Sequence, residues 1–394
     1  MRAGRNGGLM RPGDDRGGRM AGTTRRRWLA GVVSGVALAV VLPAAPVVAQ
    51  TGEHAETQAV LDQFQQKAGP GAAIHAGDAT SAWTLSSGSA SIRENRAITA
   101  SDHFRIGSQT KTFTAAVVLQ LFDEGRVDLD APIERYLPGV VTGNYDGSVI
   151  TVRQLLNHTS GLVRDTSGAK ANADGTYDLA ALVSAAMDEQ PQAQPGEVMK
   201  YSNVGYLVLG LLIEELTGRP VGDVIAERIT EPLGLAGTSF PVPGNRALPE
   251  PFVPGYQGTR VGGFFFWFDA TTLSELSWWS TAGAMSSTME DLAVFYRALL
   301  DGRVVSEEAL AEMRTVVPFP PAASRGYGLG VFEQPLSCGG VAWGHEGLLP
   351  TGHLSRTMVT DDGRFASMMT NANLMPQDPG TAEVIDAALC EGRS

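Results

Sequence analysis

The sequence contains few of the residues from which metal and redox sites are built: two cysteines and six histidines are spread over 394 residues. It has neither an H-E-x-x-H motif nor a C-x-x-C pair, so the usual zinc-site and dithiol patterns are absent and we expect no cofactor. Both cysteines, Cys338 and Cys390, lie near the carboxyl end. In an exported chain an even pair is most simply one disulfide, which predicts a bond between these two residues.

Long hydrophobic segments are also lacking. The apolar run over residues 28–42 is too short to span a bilayer comfortably. Three arginines precede it and small residues follow as far as Ala49, a pattern typical of an export signal cut after Ala49. Residues 24–29 (TRRRWL) resemble a twin-arginine signal, which implies export in the folded state. We therefore predict an export signal over residues 1–49, with Met20 as an alternative start, and a secreted protein over residues 50–394 without a membrane span; a retained amino-terminal anchor is the alternative.

Positive charge is scarce after residue 49. Residues 50–394 carry 22 basic and 40 acidic side chains, a net charge of −18. Such a chain is repelled by nucleic acid and by anionic membrane surfaces, so neither is an expected partner. About 345 residues exceed what one simple core usually holds, so two subdomains are expected.

The hydrophobic pattern predicts strands near both ends of residues 50–394 and helices between them. Helices are predicted after Ser108 and over residues 129–132, 151–156, 178–182, 204–216, 289–300 and 381–389, and strands between residues 71 and 91 and over residues 328–332, 341–344, 352–360 and 364–370. Residues 232–263 are rich in proline and glycine and predict an irregular segment. This order indicates an α/β (α+β) fold, with an α/β subdomain over about 53–124 and 281–394 and a helical insertion over about 125–280.

The stretch around Ser108 offers a nucleophile. Apolar residues at Phe113, Val117 and Leu121 have helical spacing, so Ser108 lies where a helix starts and Lys111 lies one turn along the same face. A serine hydroxyl needs a neighbouring base, which a lysine can be if burial lowers its pKa. Backbone N–H groups at a helix start suit a developing oxyanion. By itself the pair is a weak signal, because a serine three residues before one of four lysines arises by chance about one time in three.

Two further segments supply the other groups that a serine–lysine site needs. Tyr201 and Asn203 open the predicted buried helix, and a tyrosine with an asparagine two residues on could share proton transfer and amide binding. His345, Glu346 and Gly347 lie at the end of a predicted strand, whose edge would flank a bound acyl group. Taken singly, Tyr201 is typical of a cap or core tyrosine and His345 of a strand histidine, so only their partnership with Ser108 favours a site.

Residues 107–111 (GSQTK), 201–203 (YSN) and 344–347 (GHEG) resemble the three motifs of the penicillin-recognising serine hydrolases, S-x-x-K, Y-x-N and H/K-T-G. The closest likeness is to secreted D-alanyl-D-alanine carboxypeptidases and class C β-lactamases. It runs from about residue 57 to residue 392. The resemblance implies a β-lactamase/transpeptidase-like fold, with an antiparallel sheet flanked by helices, an all-helical subdomain and the active site between them.

The resemblance also implies a role for each matching residue. Ser108 would be the acylated nucleophile, and Lys111 and Tyr201 would share the general-base and general-acid roles. The oxyanion hole would be the backbone N–H groups of Ser108 and Leu348, and Asn203 would hold the acyl amide of the substrate. The remaining expected substrate contacts are His345, Glu346, Gly347, Trp278 and Phe332. Cys338 and Cys390 match the disulfide of the secreted peptidases.

Three positions depart from the family pattern. Glu346 and Leu348 stand where threonine is usual, and Phe332 falls where the secreted carboxypeptidases have an arginine for the terminal carboxylate. Like charges about 4 Å apart repel by about 4 kcal/mol at an effective dielectric constant of 20. Glu346 is therefore expected to disfavour an anionic leaving group.

These observations predict an exported serine acyl-hydrolase with a D-alanyl-D-alanine carboxypeptidase-like mechanism. Its expected partner is a small-molecule or peptide substrate, such as a peptidoglycan peptide, an ester or a β-lactam. An esterase, a D-amino-acid amidase and a β-lactamase of the same fold are alternatives. A catalytically idle binder of peptidoglycan or β-lactam is the alternative from another class, which the presence of Ser108, Lys111, Tyr201 and Asn203 together disfavours.

Two other segments favour structural roles. His158, in the run NHTSG, matches a family segment and is predicted to be structural. The aromatic run over residues 262–268 is predicted to pack onto the helical insertion rather than to contact a membrane or a ligand, since it is far too short to span a bilayer.

Overall fold

The structure is a computed structural model in which the chain divides into two units, residues 1–49 and residues 50–394. It describes residues 52–261, 264–319, 325–372, 374–376 and 378–393. The predicted export signal lies outside the described residues. Within the described ranges, no helix combines the length and the apolar character that crossing a membrane requires.

An antiparallel sheet of eight strands, in the order β2-β1-β12-β11-β10-β9-β8-β7, is built from both ends of the described chain. Two strand pairs, β3–β6 and β4–β5, lie apart from it. The strands are β1 Gly71–Gly77, β2 Ala82–Gly88, β3 Phe104–Arg105, β4 Tyr256–Val261, β5 Phe264–Asp269, β6 Ser286–Ser287, β7 Val317–Pro318, β8 Gly326–Tyr327, β9 Phe332–Pro335, β10 Val341–Leu348, β11 Leu354–Thr360 and β12 Phe365–Thr370.

Helices cover the sheet and fill the segment between its two halves. They are α1 Ala55–Ala68, α2 Thr110–Asp123, α3 Val152–Leu156, α4 Leu179–Ala186, α5 Asn203–Thr217, α6 Val221–Ile225, α7 Glu231–Leu233, α8 Ser280–Gly283, α9 Met289–Leu300, α10 Glu307–Met313 and α11 Thr381–Cys390. Single-turn 3₁₀ helices occur at Gly107–Gln109, Ile133–Arg135 and Leu276–Trp278.

The two faces of the sheet belong to different cores because strand side chains alternate. On β12, Met368 packs with Leu61 and Phe64 of α1 and with α11, whereas its neighbour Met369 packs in the larger core that contains α2, α5 and α9. Helix α2, which follows the 3₁₀ turn that contains Ser108, is buried along most of its length. Helix α5 is buried nearly all round, as its apolar sequence predicts.

Most predicted elements are confirmed, and three need correction. Residues 129–132 are not helical, because Pro132 adopts an extended conformation and disfavours a helix before it. Residues 328–331 form a turn between β8 and β9 instead of a strand, with Gly330 at φ 87°. The segment over residues 232–263, which was predicted to be irregular, contains strand β4 near its end. Helix α1, with Leu61 and Phe64 at helical spacing, is an element that the sequence analysis missed.

The aromatic run forms strand β5 of a hairpin. Phe264, Phe266 and Phe268 lie on one face of the strand and are exposed, while Phe265 and Trp267 lie on the other and stack with centroids 5.2 Å apart. A strand turns alternate side chains to opposite sides. The predicted packing onto the helical insertion is therefore wrong for Phe264, Phe266 and Phe268, which are exposed.

The predicted disulfide between Cys338 and Cys390 is present. It joins the loop between β9 and β10 to the end of α11.

Candidate active site

Two glycines determine how closely strand β10 approaches the nucleophile. A Cβ on Gly347 would lie 1.7 Å from the carbonyl oxygen of Ile106, and a Cβ on Gly107, whose φ is 54°, would lie 2.6 Å from the backbone nitrogen of Leu348. Only glycine permits both contacts. The backbone of Leu348 therefore lies beside the residue that precedes Ser108, as an oxyanion hole built from both N–H groups requires.

Lys111 is fully buried and lies against Ser108. Its Nζ is 2.7 Å from Asn203 Oδ1, 2.7 Å from the carbonyl oxygen of Ala282 and 3.1 Å from Ser108 Oγ. Burial lowers the pKa of Lys111 well below its usual value, and the nearby Asp165 only partly opposes this. A neutral amine has two N–H groups and one lone pair. The two acceptors at 2.7 Å take the N–H groups, so the lone pair faces the Ser108 hydroxyl.

Tyr201 completes the group around the nucleophile. Its ring centroid is 4.8 Å from Lys111 Nζ, and it lines the same cavity as Ser108. Burial raises the pKa of Tyr201 above its usual value, and the nearby Ser108 hydroxyl only partly opposes the shift. Burial thus favours the neutral amine of Lys111 and the protonated phenol of Tyr201, which suits the lysine as a base and the tyrosine as an acid.

The amide of Asn203 is fixed by two ionisable neighbours. Its Nδ2 donates to Asp165 Oδ1 at 2.6 Å, and its Oδ1 accepts from Lys111. Asp165 is a site residue that the sequence analysis missed. An amide nitrogen carries two N–H groups, so Asn203 keeps one for a substrate carbonyl in its predicted role.

His158 stabilises the segment that carries Tyr201 through two hydrogen bonds. The carbonyl oxygen of His158 accepts from the backbone N–H of Lys200 at 2.8 Å, and its Nδ1 accepts from that of Ser202 at 3.1 Å. The residues on both sides of Tyr201 are therefore held by one histidine, which itself has a φ of 62°. Burial lowers the pKa of His158 well below its usual value, so its ring is neutral.

His345 lies behind the site rather than on it. Its side chain is fully buried, with Nε2 3.0 Å from the hydroxyl of Tyr327 and Nδ1 2.5 Å from the carbonyl oxygen of Glu346. Burial lowers its pKa to about 3, so the imidazole is neutral. The expectation that His345 contacts substrate is therefore wrong; it supports the strand that carries Glu346.

The expected aromatic contact is displaced by one residue. Trp278 packs edge-on against Tyr177, with centroids 4.9 Å apart, while Trp279 lines the catalytic cavity. The cause is the 3₁₀ turn that ends at Trp278, which turns consecutive tryptophans in different directions. Trp279, rather than the predicted Trp278, therefore has its side chain at the cavity.

The cavity has a volume of about 590 Å³. The sequence-predicted residues that line it are Ser108, Tyr201, Asn203, Phe332, Glu346 and Leu348, and it is also lined by Trp279, Leu349, Glu383, Arg164, Arg325 and Arg356. Within the described part of the chain, no cluster of three or more His, Cys, Asp or Glu side chains could hold a metal ion.

The charge at Glu346 is not isolated. Its Oε2 lies 3.1 Å from Nη1 of Arg356 and 3.6 Å from Nη2 of Arg325. The repulsion argument treated Glu346 as an unpaired acid, whereas its charge is balanced by two arginines, which weakens the expected repulsion of an anionic leaving group. Arg356 occupies the position opposite Glu346 in the β10–β11 ladder.

Comparison with known proteins reveals both a family and its structural neighbours. A family model described as Beta-lactamase matches residues 21–389. A D-stereospecific amidohydrolase from Streptomyces sp. is 39% identical, with a TM-score of 0.76, over 87% of this chain and 100% of that one. A D-amino acid amidase from Ochrobactrum anthropi SV3 is 28% identical, with a TM-score of 0.74, over 85% of this chain and 97% of that one.

Two curated relatives are matched over shorter segments. The unguisins hydrolase ungD' of Aspergillus campestris is 31% identical over 59% of this chain and 44% of its own length. Penicillin-binding protein 4 of Amycolatopsis lactamdurans is 35% identical over 35% of this chain and 36% of its own length. The chain thus spans less than half the length of these two relatives.

Proposed function

Because the chain belongs to the beta-lactamase family, we propose that it is a serine amidohydrolase that cleaves amides of D-amino acids through an acyl-enzyme on Ser108. The observation that carries the proposal is the buried Lys111, whose two N–H groups are engaged and whose lone pair faces Ser108 Oγ at 3.1 Å. The choice of substrate is supported by the likeness to the D-stereospecific amidohydrolase over that protein's whole length.

The first half of the reaction acylates the enzyme. The Nζ of Lys111 takes the hydroxyl proton of Ser108 as Oγ bonds to the substrate's carbonyl carbon. The negative charge on the carbonyl oxygen is stabilised by the backbone N–H groups of Ser108 and Leu348. When the C–N bond breaks, the leaving nitrogen takes the proton of the Tyr201 hydroxyl, and the ammonium of Lys111 then returns a proton to the tyrosinate.

The second half releases the D-amino acid. A water molecule takes the place of the departed amine, gives a proton to Lys111 Nζ and attacks the ester carbonyl. As the ester bond breaks, the ammonium of Lys111 returns that proton to the Ser108 oxygen. The charge that appears on Lys111 at each step is stabilised by Asn203 Oδ1, the carbonyl of Ala282 and the nearby Asp165.

Rates with D- and L-phenylalanine amide test the substrate class, and a fluorophosphonate probe tests the nucleophile. We expect hydrolysis of the D enantiomer, slower hydrolysis of the L enantiomer, and labelling of the wild type but not of Ser108→Ala. A phenyl ester, N-acyl-D-alanyl-D-alanine and a β-lactam complete the panel and represent the esterase, carboxypeptidase and β-lactamase alternatives. If the probe labels Ser108 and one of these three compounds is turned over while D-phenylalanine amide is not, the substrate proposal is wrong. If Ser108 is not labelled, the protein is a binder.

Residues 1–49 are proposed to direct export. The three arginines before a short apolar run are typical of an export signal. The disulfide in the described unit supports an oxidising destination. Replacing Arg25, Arg26 and Arg27 by lysine should retain the protein inside the producing cell. Equal amounts of wild type and triple variant outside the cell would contradict a twin-arginine signal.

A further inference from the structure

A second cavity, with a volume of about 630 Å³, shares no lining residue with the catalytic cavity. Volumes of about 300–1,000 Å³ are typical of sites for small molecules. One side of this second cavity is formed by α6 and by the π-helical turn that continues it over Ala226–Thr230. Such turns are rare and frequently occur at functional sites. The proposed mechanism leaves this cavity unused, so its lining is the guide to what it could hold.

Much of the lining of the second cavity is apolar. Its larger apolar side chains are Leu179, Val221, Ile225, Phe240, Val242 and Leu276. Val242 stands between two prolines and is 71% exposed, so the loop over residues 240–243 opens the cavity to solvent. Moving an apolar group from water onto such surfaces is favourable, in proportion to the area that it buries.

The charged residues that line the second cavity are all acids: Asp178, Glu214 and Asp223. None of the described residues in the lining is a lysine, an arginine or a histidine, and none of these three carboxylates forms an ion pair with a described residue. Glu214 is half-buried, and its Oε1 accepts from the backbone N–H of Val221 at 3.2 Å. Carboxylates without a counter-charge attract cations and repel anions. The cavity is therefore complementary to an apolar molecule with a positive charge.

The second cavity and the catalytic cavity share one wall, residues 276–284. Ser280 and Ala284 line the second cavity, whereas Ala282, between them, lines the catalytic one. The carbonyl oxygen of Ala282 accepts from Lys111 Nζ at 2.7 Å. A ligand in the second cavity therefore contacts the same short turn that holds the catalytic base.

We propose that the second cavity binds a small apolar molecule that carries an ammonium group, and that its occupancy slows acylation of Ser108. During acylation the hydroxyl proton of Ser108 moves to Lys111 Nζ, which becomes positively charged. A cation on the other side of the shared wall repels this new charge, so the step becomes slower. The binding part of this inference is independent of the proposed amidohydrolase activity, and only the effect on acylation rests on it.

Calorimetry with three indole compounds tests the site. Tryptamine, tryptophol and indole-3-propionate carry the same ring with an ammonium, a hydroxyl and a carboxylate group. We expect tryptamine to bind about fivefold more tightly than tryptophol, and the carboxylate to bind most weakly, because the three acids act on the charge alone. Equal affinities for tryptamine and tryptophol, or no binding of either compound up to its solubility limit, would overturn the proposal.

Variants locate the bound tryptamine. Ala226→Phe places a large side chain in the second cavity and should abolish binding. The triple variant Asp178→Asn, Glu214→Gln, Asp223→Asn should lower the affinity for tryptamine to that for tryptophol. Glu383→Gln, which neutralises an acid of the catalytic cavity, should leave the affinity unchanged. A loss in Glu383→Gln without a loss in the triple variant would place tryptamine in the catalytic cavity and overturn the proposal.

A matched control separates the local acids from the net charge of the chain. The triple variant Glu215→Gln, Glu231→Gln, Glu308→Gln removes three exposed acids that line neither cavity, so it changes the net charge by the same amount. It should keep the wild-type preference for tryptamine over tryptophol. An equal loss of the preference in both triple variants would overturn the assignment of the charge to the cavity.

The rate at which the fluorophosphonate probe labels Ser108 tests the coupling. Saturating tryptamine should lower this rate about two- to fivefold in the wild type and leave it unchanged in Ala226→Phe. An unchanged rate in the wild type, or a fall that persists in Ala226→Phe, would overturn the coupling. A Ser108 that takes no label at all contradicts the proposed function instead, and the calorimetry then decides the site by itself.

Discussion

The imidazole of His158 lies over the ring of Tyr201, with centroids 4.1 Å apart, and the same histidine bonds to the residues before and after it. This neighbour holds Tyr201 from both sides, and the backbone carbonyl of Tyr201 also accepts a hydrogen bond from Gln192 Nε2 at 3.4 Å. His158 thus positions the proton donor without touching the substrate.

Asparagine should replace His158 better than leucine does. Asparagine tolerates the φ of 62° and offers Oδ1 to the N–H of Ser202, whereas leucine provides neither. We expect His158→Leu to lower kcat about 100-fold through misplacement of Tyr201, with a smaller change in KM, and His158→Asn to recover most of the loss. Steady-state kinetics measure both. Equal losses in the two variants would show that the ring itself, and not the hydrogen bond from Ser202, is required.

The free energy of unfolding should rise with pH because of Lys111. Its pKa in the folded state lies well below the 10.5 of the unfolded chain, so between those values the unfolded state binds one more proton. Stability then rises with pH across that window, by up to about 1.4 kcal/mol per unit. Urea unfolding at pH 7.5 to 9.5 should show this rise in the wild type and lose it in Lys111→Met. Parallel profiles for the two proteins would mean that Lys111 is charged in the folded state.

The same low pKa determines the acid limb of activity. Protonation of Lys111 removes the lone pair that faces Ser108, so kcat/KM should fall tenfold per unit below the folded-state pKa of the lysine. Burial lowers the pKa of His158 well below its usual value and that of His345 to about 3, so neither ring should contribute near neutral pH. The substitution His345→Gln, which removes the imidazole ring, should therefore leave the position of the acid limb unchanged. A shift of the acid limb in that variant would contradict the assignment of the limb to Lys111.

A methyl group on Gly347 should disable the oxyanion hole. The added Cβ would lie 1.7 Å from the carbonyl oxygen of Ile106, so strand β10 has to move away from Ser108. We expect Gly347→Ala to lower kcat by about 100- to 1000-fold, as loss of one oxyanion donor does, and to lower stability by about 1–3 kcal/mol. Gly168→Ala is a control, since the nearest atom to its Cβ would be 3.9 Å away. Wild-type activity in Gly347→Ala would exclude the backbone of β10 from catalysis.

Loss of the disulfide should cost stability. The bond between Cys338 and Cys390 closes a loop of 52 residues, which on the chain-entropy model contributes about 4 kcal/mol. We expect the double variant Cys338→Ser, Cys390→Ser to show a correspondingly lower midpoint of urea unfolding. Reduction of the wild type should shift its midpoint to that of the variant, and no shift in either experiment would mean that the bond adds nothing to the folded state.

The parts of the site that depend on local sequence were predictable. Ser108 and Lys111 lie one helical turn apart, and the capping pattern at Thr288 and the apolar face of α5 specify their helices without reference to the rest of the chain. The residue pattern offered Tyr201 and Asn203 as well, and the family resemblance gave them roles and added Leu348; all three line one cavity in the structure.

The parts that depend on register were not predictable. Glu346 and Arg356 are ten residues apart and face each other only because β10 and β11 pair in one particular register, which the sequence does not display. Without that register, Glu346 was interpreted as an unpaired acid, and the repulsion argument followed. Trp278 was chosen over Trp279 for a related reason: one residue of a 3₁₀ turn decides which ring faces the cavity.

Parts of the site that lie far apart in the chain must all be synthesised before it can form. Ser108 emerges from the ribosome 240 residues before Leu348, which belongs to β10. A nascent chain that ends before β10 has a nucleophile and a base but no place for the oxyanion. The proposed hydrolytic activity therefore begins only after β10 has been made and has folded beside Ser108, so that a shorter nascent chain carries an inactive serine.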